Sequence, residues 1–309
     1  MTSLDRTSAP TKKRRSRSKG DSLQQLSMLL PGAVLVLTFM VAPFVYSIWL
    51  SMTNERLIPR PVPSKFIGFD NYTRLAADPV FWQALGNLFR FTVLVLPLQC
   101  GFALLVAIAL NQKLPFRGLF RSVFFLPSIT SMVVVCIIWS TIFQFPTGPL
   151  NSLVNALSFG LAGPVDWLGD RNVAMFSIVL LSAWASFGFQ MIIYLAGLQN
   201  ISAELYDAAR MDGAGPLSRF WNVTMPGLRE THVFVLIVTT IQAFKLFTQV
   251  ELLTGGGPGG STETLVRYMV TAGFTQQRVG YGSAVAVVLF LIIMMISMTQ
   301  RFLTRNKNG

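Results

Sequence analysis

The sequence is short of charge, cysteine and histidine. Asp, Glu, Lys and Arg make up only 12% of the 309 residues, against about 25% in an ordinary soluble domain. Cys100 and Cys136 are the only cysteines and His232 the only histidine, which excludes a disulfide framework and leaves no Cys/His metal site. The glycine run at 255–260 lacks the Lys-Ser/Thr that a phosphate-cradling loop requires, so the chain carries no nucleotide-binding motif. No grouping of nucleophile, base and acid supports chemistry on a substrate. Acids are also missing from the apolar segments, which counts against proton coupling through a chain of intramembrane carboxylates.

What remains is apolar. Hydrophobic residues make up 52% of the chain and the mean hydropathy is +0.54, so lipid is the main solvent. Five runs long enough to cross a bilayer contain no Asp, Glu, Lys or Arg: 28–50, 91–110, 122–143, 173–195 and 281–300. A sixth, 233–250, is interrupted only by Lys245. None alternates with the period of a membrane β-strand. The expected fold class is therefore an all-α membrane protein of six transmembrane helices. Pro43, Pro97 and Pro127 fall inside these runs and each is read as a kink.

Basic residues orient the chain. Seven precede the first run, from Arg6 to Lys19, and others cluster in 111–121, in 196–230 and after 300. Basic residues close to helix ends are retained in the cytoplasm, so both termini and the 196–230 loop are expected there. Much of the formal charge of +12 sits in that N-terminal tail; it reads as a topology signal strengthened by anionic membrane lipid, with no nucleic acid partner implied. Residues 1–22 are expected to be a disordered basic tail, 23–303 the membrane domain and 304–309 a cytoplasmic C-terminal tail. Outside, Asp78-Pro79 marks a short interfacial helix start, and 144–172 reads as irregular.

The loop 196–230 carries the most specific pattern. Ser202 is a good N-cap with Glu204 in the first turn, and Leu205, Ala208, Ala209 and Asp212 share one face of a short helix ended by Gly213. Gly215-Pro216 opens a second helix whose face is Leu217, Phe220, Trp221 and Thr224. Adjacent alanines permit close approach of a partner surface, and the acids offer it charge pairs; packing on the chain's own bundle is the plainer alternative.

Asp207-Ala208-Ala209, Gly213 and Val223-Thr224-Met225-Pro226 resemble the EAA signature of permease subunits of ATP-binding-cassette importers. Asp207, Val223 and Met225 stand where that pattern has Glu, Ile and Leu. Further stretches are similar to the maltose, trehalose and glycerol-phosphate branch: Phe66 to Tyr72, Phe120 to Pro127, Tyr194 to Gln199 and Leu253 to Thr262. The resemblance covers about residues 28–303 and implies a type I permease fold in the bacterial inner membrane. It further implies a second homologous permease, two ATPase subunits that hold the ATP and Mg, and an extracytoplasmic solute-binding protein. No cofactor is implied in this chain. Glu204, Asp207, Ala208, Ala209, Asp212 and Gly213 would then form the coupling helix seated on an ATPase. The rival class is an ion-coupled carrier or channel for a small polar solute.

Polar residues inside the apolar runs mark a candidate solute path. Gln242, Lys245 and Gln249 fall on one stripe of the fifth run, and Ser182, Ser186 and Gln190 on another in the fourth. Such stripes suit a hydrated path for sugar hydroxyls, or equally interhelical hydrogen bonding with Lys245 reaching outward toward Glu251. Trp184, Phe187 and Phe244 are candidates to stack on sugar faces or to pack. Thr248 and Glu251 stand where the branch commonly has Asp and Tyr, and a Lys in the path would also suit an anion, so the cargo stays open between neutral oligosaccharide and glycerophosphodiester. The orientation is tested by a cysteine placed at Ser218: an impermeant thiol reagent applied to intact cells should leave it unlabelled, and labelling from outside would reverse the topology.

Overall fold

The computed structural model describes residues 19–58, 63–112, 115–161 and 163–305, with only the backbone at 19–27 and 304–305. Most of the expected basic tail, with its cluster from Arg6 to Arg17, lies outside the described residues. The chain divides into two units, Met1–Trp49 and Leu50–Gly309.

In the first unit, α1 (Lys19–Val36) passes through a π turn at Leu37–Val41 into α2 (Ala42–Ser51), which ends at the start of the second unit. Helix begins at Lys19, inside the segment read as tail. The π turn has a local cause: Pro43 lacks an N–H and its ring presses on the carbonyl four residues back, and a widened turn relieves that pressure.

In the second unit, α3 (Asp70–Ala76) precedes α4 (Pro79–Asn111). The side chain of Asn71 donates to the carbonyls of Ser51 and Thr53, both at 2.8 Å, so the Phe66 to Tyr72 stretch ties the loop to the end of α2. Asp78 caps α4 by accepting from the Val80 N–H at 2.9 Å. Its other oxygen accepts from the Tyr281 hydroxyl at 2.7 Å and from that of Tyr268. Burial pushes the Asp78 carboxyl up, but these hydroxyls and the backbone N–H groups of Val80 and Phe81 outweigh it and hold the group below its usual range. The segment read as a short interfacial helix is the first turn of α4, because no proline separates it from the 33-residue helix that follows.

The third apolar run is not one helix. It divides into α5 (Arg117–Ile129) and α6 (Met132–Ile142), bent by 96°. Pro127 cannot donate to the turn before it, and Thr130 satisfies itself locally, its N–H donating to the Pro127 carbonyl and its hydroxyl to that of Leu126. A helix, α7 (Pro149–Leu157), then occupies the loop expected to be irregular. It is anchored by Asn151, whose side chain donates to the Val165 carbonyl and accepts from Val165 N–H and Trp167 Nε1, each at 3.0 Å.

α8 (Ala174–Gln199) is the central pillar, buried around most of its circumference. After it come α9 (Ala203–Met211), α10 (Pro216–Arg219), a π turn at Phe220–Thr224 and α11 (Met225–Gly227). The fifth run is also broken: α12 (Arg229–Phe244) and α13 (Thr248–Leu253) are separated by Lys245, Leu246 and Phe247. The hydroxyl of Thr264 donates to the carbonyl of Leu246 at 3.0 Å and so satisfies the opened backbone. Then follow α14 (Leu265–Val270), a π turn at Thr271–Thr275 and α15 (Val279–Arg305).

Of the six expected spans, four are uninterrupted helices long and apolar enough to cross a membrane: Met28–Ser51, Pro79–Asn111, Ala174–Gln199 and Val279–Leu303. The bent pair α5 and α6 can supply a fifth, and the interrupted α12–α13 segment corresponds to the remaining run, 233–250. The glycine stretch after α13 is held by close contacts. Gly256 and Gly260 have φ of +83° and +74°. A Cβ would lie 2.5 Å from Glu263 Oε2 at the first and 2.7 Å from Gln83 Nε2 at the second. Arg267 clamps this stretch, bonding Glu251 at 2.8 Å and Glu263 at 2.6 Å. Glu251 is thus committed to Arg267 and not to Lys245.

Small residues set the interhelical distances. Ala84, Ala103 and Ala107 on α4 are fully buried. On α8, a Cβ at Gly188 would lie 2.4 Å from the Phe124 carbonyl and 2.8 Å from Ser128 Oγ, so α5 rests directly on that glycine. Gly188→Ala should therefore destabilise the purified protein by about 1–3 kcal/mol, seen as a lowered unfolding temperature in detergent. Gly101→Ala, with nothing within 4 Å of its Cβ, should be neutral or slightly stabilising, and equal behaviour of the two variants would refute the close contact.

Candidate functional site

Where α5 gives way to α6 and α12 to α13, the two breaks meet α4 and α8 around a cavity of about 180 Å³. Its polar lining is Gln99 from α4, Ser182 and Ser186 from α8, Thr239 and Gln242 from α12, and Gln249 from α13. Phe91, Val95, Met132, Ala243 and Leu246 complete the wall. Among the described residues no charged side chain lines it.

The polar groups form a connected set. Gln190, fully buried, donates from Nε2 to Thr239 Oγ1 and to Gln242 Oε1, both at 3.2 Å. Gln249 donates to Ser182 Oγ at 3.4 Å, and the Cys100 thiol donates to Thr239 at 3.7 Å. Gln99 Nε2 and Gln190 Oε1 are buried without a protein partner among the described residues. Each such group costs about 1–3 kcal/mol unless water or a polar solute meets it, so the cavity is chemically suited to hydroxyl groups.

Five sequence candidates converge here: Ser182, Ser186, Gln242 and Gln249 on the wall, with Gln190 directly behind Gln242. Lys245 does not line the cavity. It caps α12 at the break and is exposed, because three non-helical residues interrupt the regular turn that would have aligned it with Gln242 and Gln249. The aromatic candidates pack elsewhere. Phe187 lies between Phe102 and Phe124, Phe244 stands edge-on to Phe89, and Trp184 tilts against Trp139. Sequence reasoning missed Gln99 and Thr239. The signal for Gln99 was a lone amide two residues beyond Pro97 in a charge-free run.

At the other candidate element, Ser202 caps α9 by accepting from the Glu204 N–H at 3.2 Å, and Gly213 turns the chain with φ of +77°. Glu204, Asp207, Ala208, Asp212 and Gly213 are exposed and Ala209 half-buried. Asp207 pairs with Arg210 on its own helix at 3.1 Å, both side chains in solvent, which is worth little. The second helix departs from its expected single face, since the π turn directs Thr224 inward while Leu217 and Trp221 remain 71% and 59% exposed. With Leu205 and Met211, these make an apolar surface beside the acids.

The base of this loop is fixed to the bundle. A Cβ at Gly197 would lie 2.5 Å from Thr231 Oγ1, so the end of α8 and the start of α12 touch. Tyr194 and His232 share a hydrogen bond of 2.6 Å across the same junction, and Tyr206 shares one of 3.0 Å with Thr224. His232 is a joint between helices.

Residues 99–307 match the family described as the binding-protein-dependent transport system inner membrane component. The chain is 36% identical over 276 residues to the probable ABC transporter permease protein YurN of Bacillus subtilis, covering 88% of this chain and 93% of that one. It is 36% identical over 282 residues to the arabinooligosaccharides transport system permease protein AraP of the same organism, covering 90% and 88%. It is 31% identical over 268 residues to the trehalose/maltose transport system permease protein MalF of Thermococcus litoralis, covering 86% and 88%. A chain in the crystal structure of a bacterial alginate ABC transporter, in complex with alginate pentasaccharide-bound periplasmic protein, superposes with a TM-score of 0.80 at 22% identity, over 94% of this chain and 97% of that one.

Cysteine accessibility tests the cavity. In a background lacking Cys100 and Cys136, cysteines at Ser186 and Gln249 should react with a small hydrophilic thiol reagent at least an order of magnitude faster than one at the fully buried Ser177. Equal, slow reaction at all three positions would mean that the cavity is closed to water.

Proposed function

Because the chain belongs to the binding-protein-dependent transport system inner membrane component family, we propose that it is the half-transporter that passes a neutral carbohydrate through the membrane by alternating access. It is a sugar-type ABC permease, a transport subunit whose ATPase resides in separate chains. The proposed assembly adds a homologous second permease, two ATPases carrying ATP and Mg beneath α9, and a solute-binding protein on the opposite side. In this reading both termini lie in the cytoplasm, as the distribution of basic residues suggests.

The observation that carries this reading is the double attachment of α9. The helix is capped at both ends and exposes its alanines and acids, yet its two flanking helices are joined at the base by Gly197 and Thr231. Those helices, α8 and α12, also contribute to the wall of the polar cavity, beside α4 and α13. ATP-driven closure of the ATPases moves α9, the joined ends of α8 and α12 follow, and the cavity between them changes its access. Amides and hydroxyls replace the water around a sugar as it passes.

A neutral cargo is favoured over an anion because Lys245 stands outside the lining and no other cation among the described residues belongs to it. An ion-coupled carrier is disfavoured for the same reason with the opposite sign: no carboxylate lines the cavity to take a proton. The size, about 180 Å³, suits one part of a sugar chain, the remainder of the path being supplied by the second permease.

Ala209→Trp tests the docking of α9. Overpacking a close interface costs about 1–3 kcal/mol, or roughly 5-fold to 150-fold in ATPase association. The membrane level of the permease should be unchanged, because Ala209 lies outside the bundle core. Co-purification of ATPases and solute-stimulated ATP hydrolysis should both fall; full retention of both would remove α9 from the coupling role.

A further inference from the structure

On the side of the membrane opposite α9, a second cavity of about 470 Å³ opens where α2 ends and α4 and α15 begin. Arg56, Arg74 and Arg278 line it together with Glu55, Asp78 and Tyr281. None of the three guanidinium groups makes a hydrogen bond or ion pair with a described residue. Asp78 is already committed to two tyrosine hydroxyls and the Val80 N–H. These neutral donors leave the charge of Asp78 in place, so three cations face two carboxylates, Glu55 and Asp78, and the lining keeps one positive charge in excess.

The cavity is built from fixed backbone. The Gly280 N–H donates to the Glu55 carbonyl at 3.1 Å and the Leu57 N–H to the Gln277 carbonyl at 3.2 Å. A Cβ at Gly280 would lie 2.1 Å from the Thr53 carbonyl. Arg56 and Arg278 are thus held on two strands of chain that cannot separate without breaking these bonds, while Arg74 comes from α3, anchored through Asn71.

We propose that this cavity holds the phosphate of an anionic phospholipid headgroup. Guanidinium forks match phosphate oxygens in bidentate geometry, and three of them around one space call for a polyoxygenated anion. The source of the phosphate follows from the setting. The cavity lies at the level where spanning helices leave the bilayer, which is headgroup depth. Leu57, Ile58, Phe69 and Phe274 stand exposed on the same loops and helix ends, and such apolar side chains beside arginines are at home in the membrane interface. The feature is independent of the solute path, sharing no lining residue with it.

The test uses the purified full-length chain in nanodiscs and in detergent, with phosphatidylglycerol as the anionic probe, phosphatidylcholine as the neutral one and inorganic phosphate as the free anion. Native mass spectrometry should show phosphatidylglycerol retained in preference to phosphatidylcholine by the unaltered chain. Arg56→Gln, Arg74→Gln and Arg278→Gln should each weaken that retention on the order of fivefold, whereas Arg171→Gln, outside the cavity, should not. Equal retention of the two lipids by the unaltered chain, or undiminished retention in the triple variant, overturns the proposal. So does displacement by millimolar inorganic phosphate, which would mark a free-anion site.

Discussion

A peptide group left without a partner in hydrocarbon costs several kcal/mol, so a spanning helix can stop inside a membrane only where something else takes up its N–H and C=O groups. The architecture turns on this constraint. Both interruptions are locally repaired. Thr130 closes the end of α5 with its own N–H and hydroxyl. At the end of α12, tight turns from Lys245 and Leu246 are completed by the Thr264 hydroxyl on the Leu246 carbonyl. Met132 from the first break and Leu246 from the second both reach the same cavity. Two helices stop where polar space opens, and α8, which does not stop, provides the wall against which both are held.

That division separates what is rigid from what can rearrange. α8 is hydrogen-bonded over 26 residues and buried around most of its surface, so a displacement at its end is carried along its length. Its contacts with α5 at Gly188 and with α12 at Gly197 are made by backbone against neighbour, with no long side chain to absorb movement. The charged side chains that border cavities stand apart from the central one: Arg56, Arg74 and Arg278 line one cavity and Arg210 and Arg219 another. The middle is left to amides and hydroxyls, whose hydrogen bonds can be exchanged with a passing neutral solute without stranding an ion.

The sequence displayed more of this than its composition suggests. Apolar runs without charge located the four uninterrupted spanning helices and the bent pair α5 and α6, because lipid leaves so little freedom in residue choice. The α9 caps, Ser202 and Gly213, were legible since capping depends on neighbours only a few residues away. The breaks were hidden. Pro127 signals a kink as readily as a rupture, and nothing near Lys245 announces that its helix ends there; the partner that permits it, Thr264, lies 19 positions downstream. The regular spacing of Gln242, Lys245 and Gln249 was therefore misleading, as regular spacing is informative only along an unbroken helix. Gln99 was passed over because a single amide in a long apolar run has no local partner in sequence, and its significance arises only from α8 and α12 across the cavity.

The glycine stretch between α13 and α14 has a consequence for kinetics. Chain that must order itself on meeting a partner loses conformational freedom at that moment, about 1–2 kcal/mol per residue. Here Gly256 and Gly260 are seated against Glu263 and Gln83, and Arg267 locks the flanks, so the freedom is surrendered once, when the protein folds. A partner arriving from that side encounters a finished relief and need not wait for it to form. Its rate of capture is then governed by diffusion and orientation, and its release by the contacts alone.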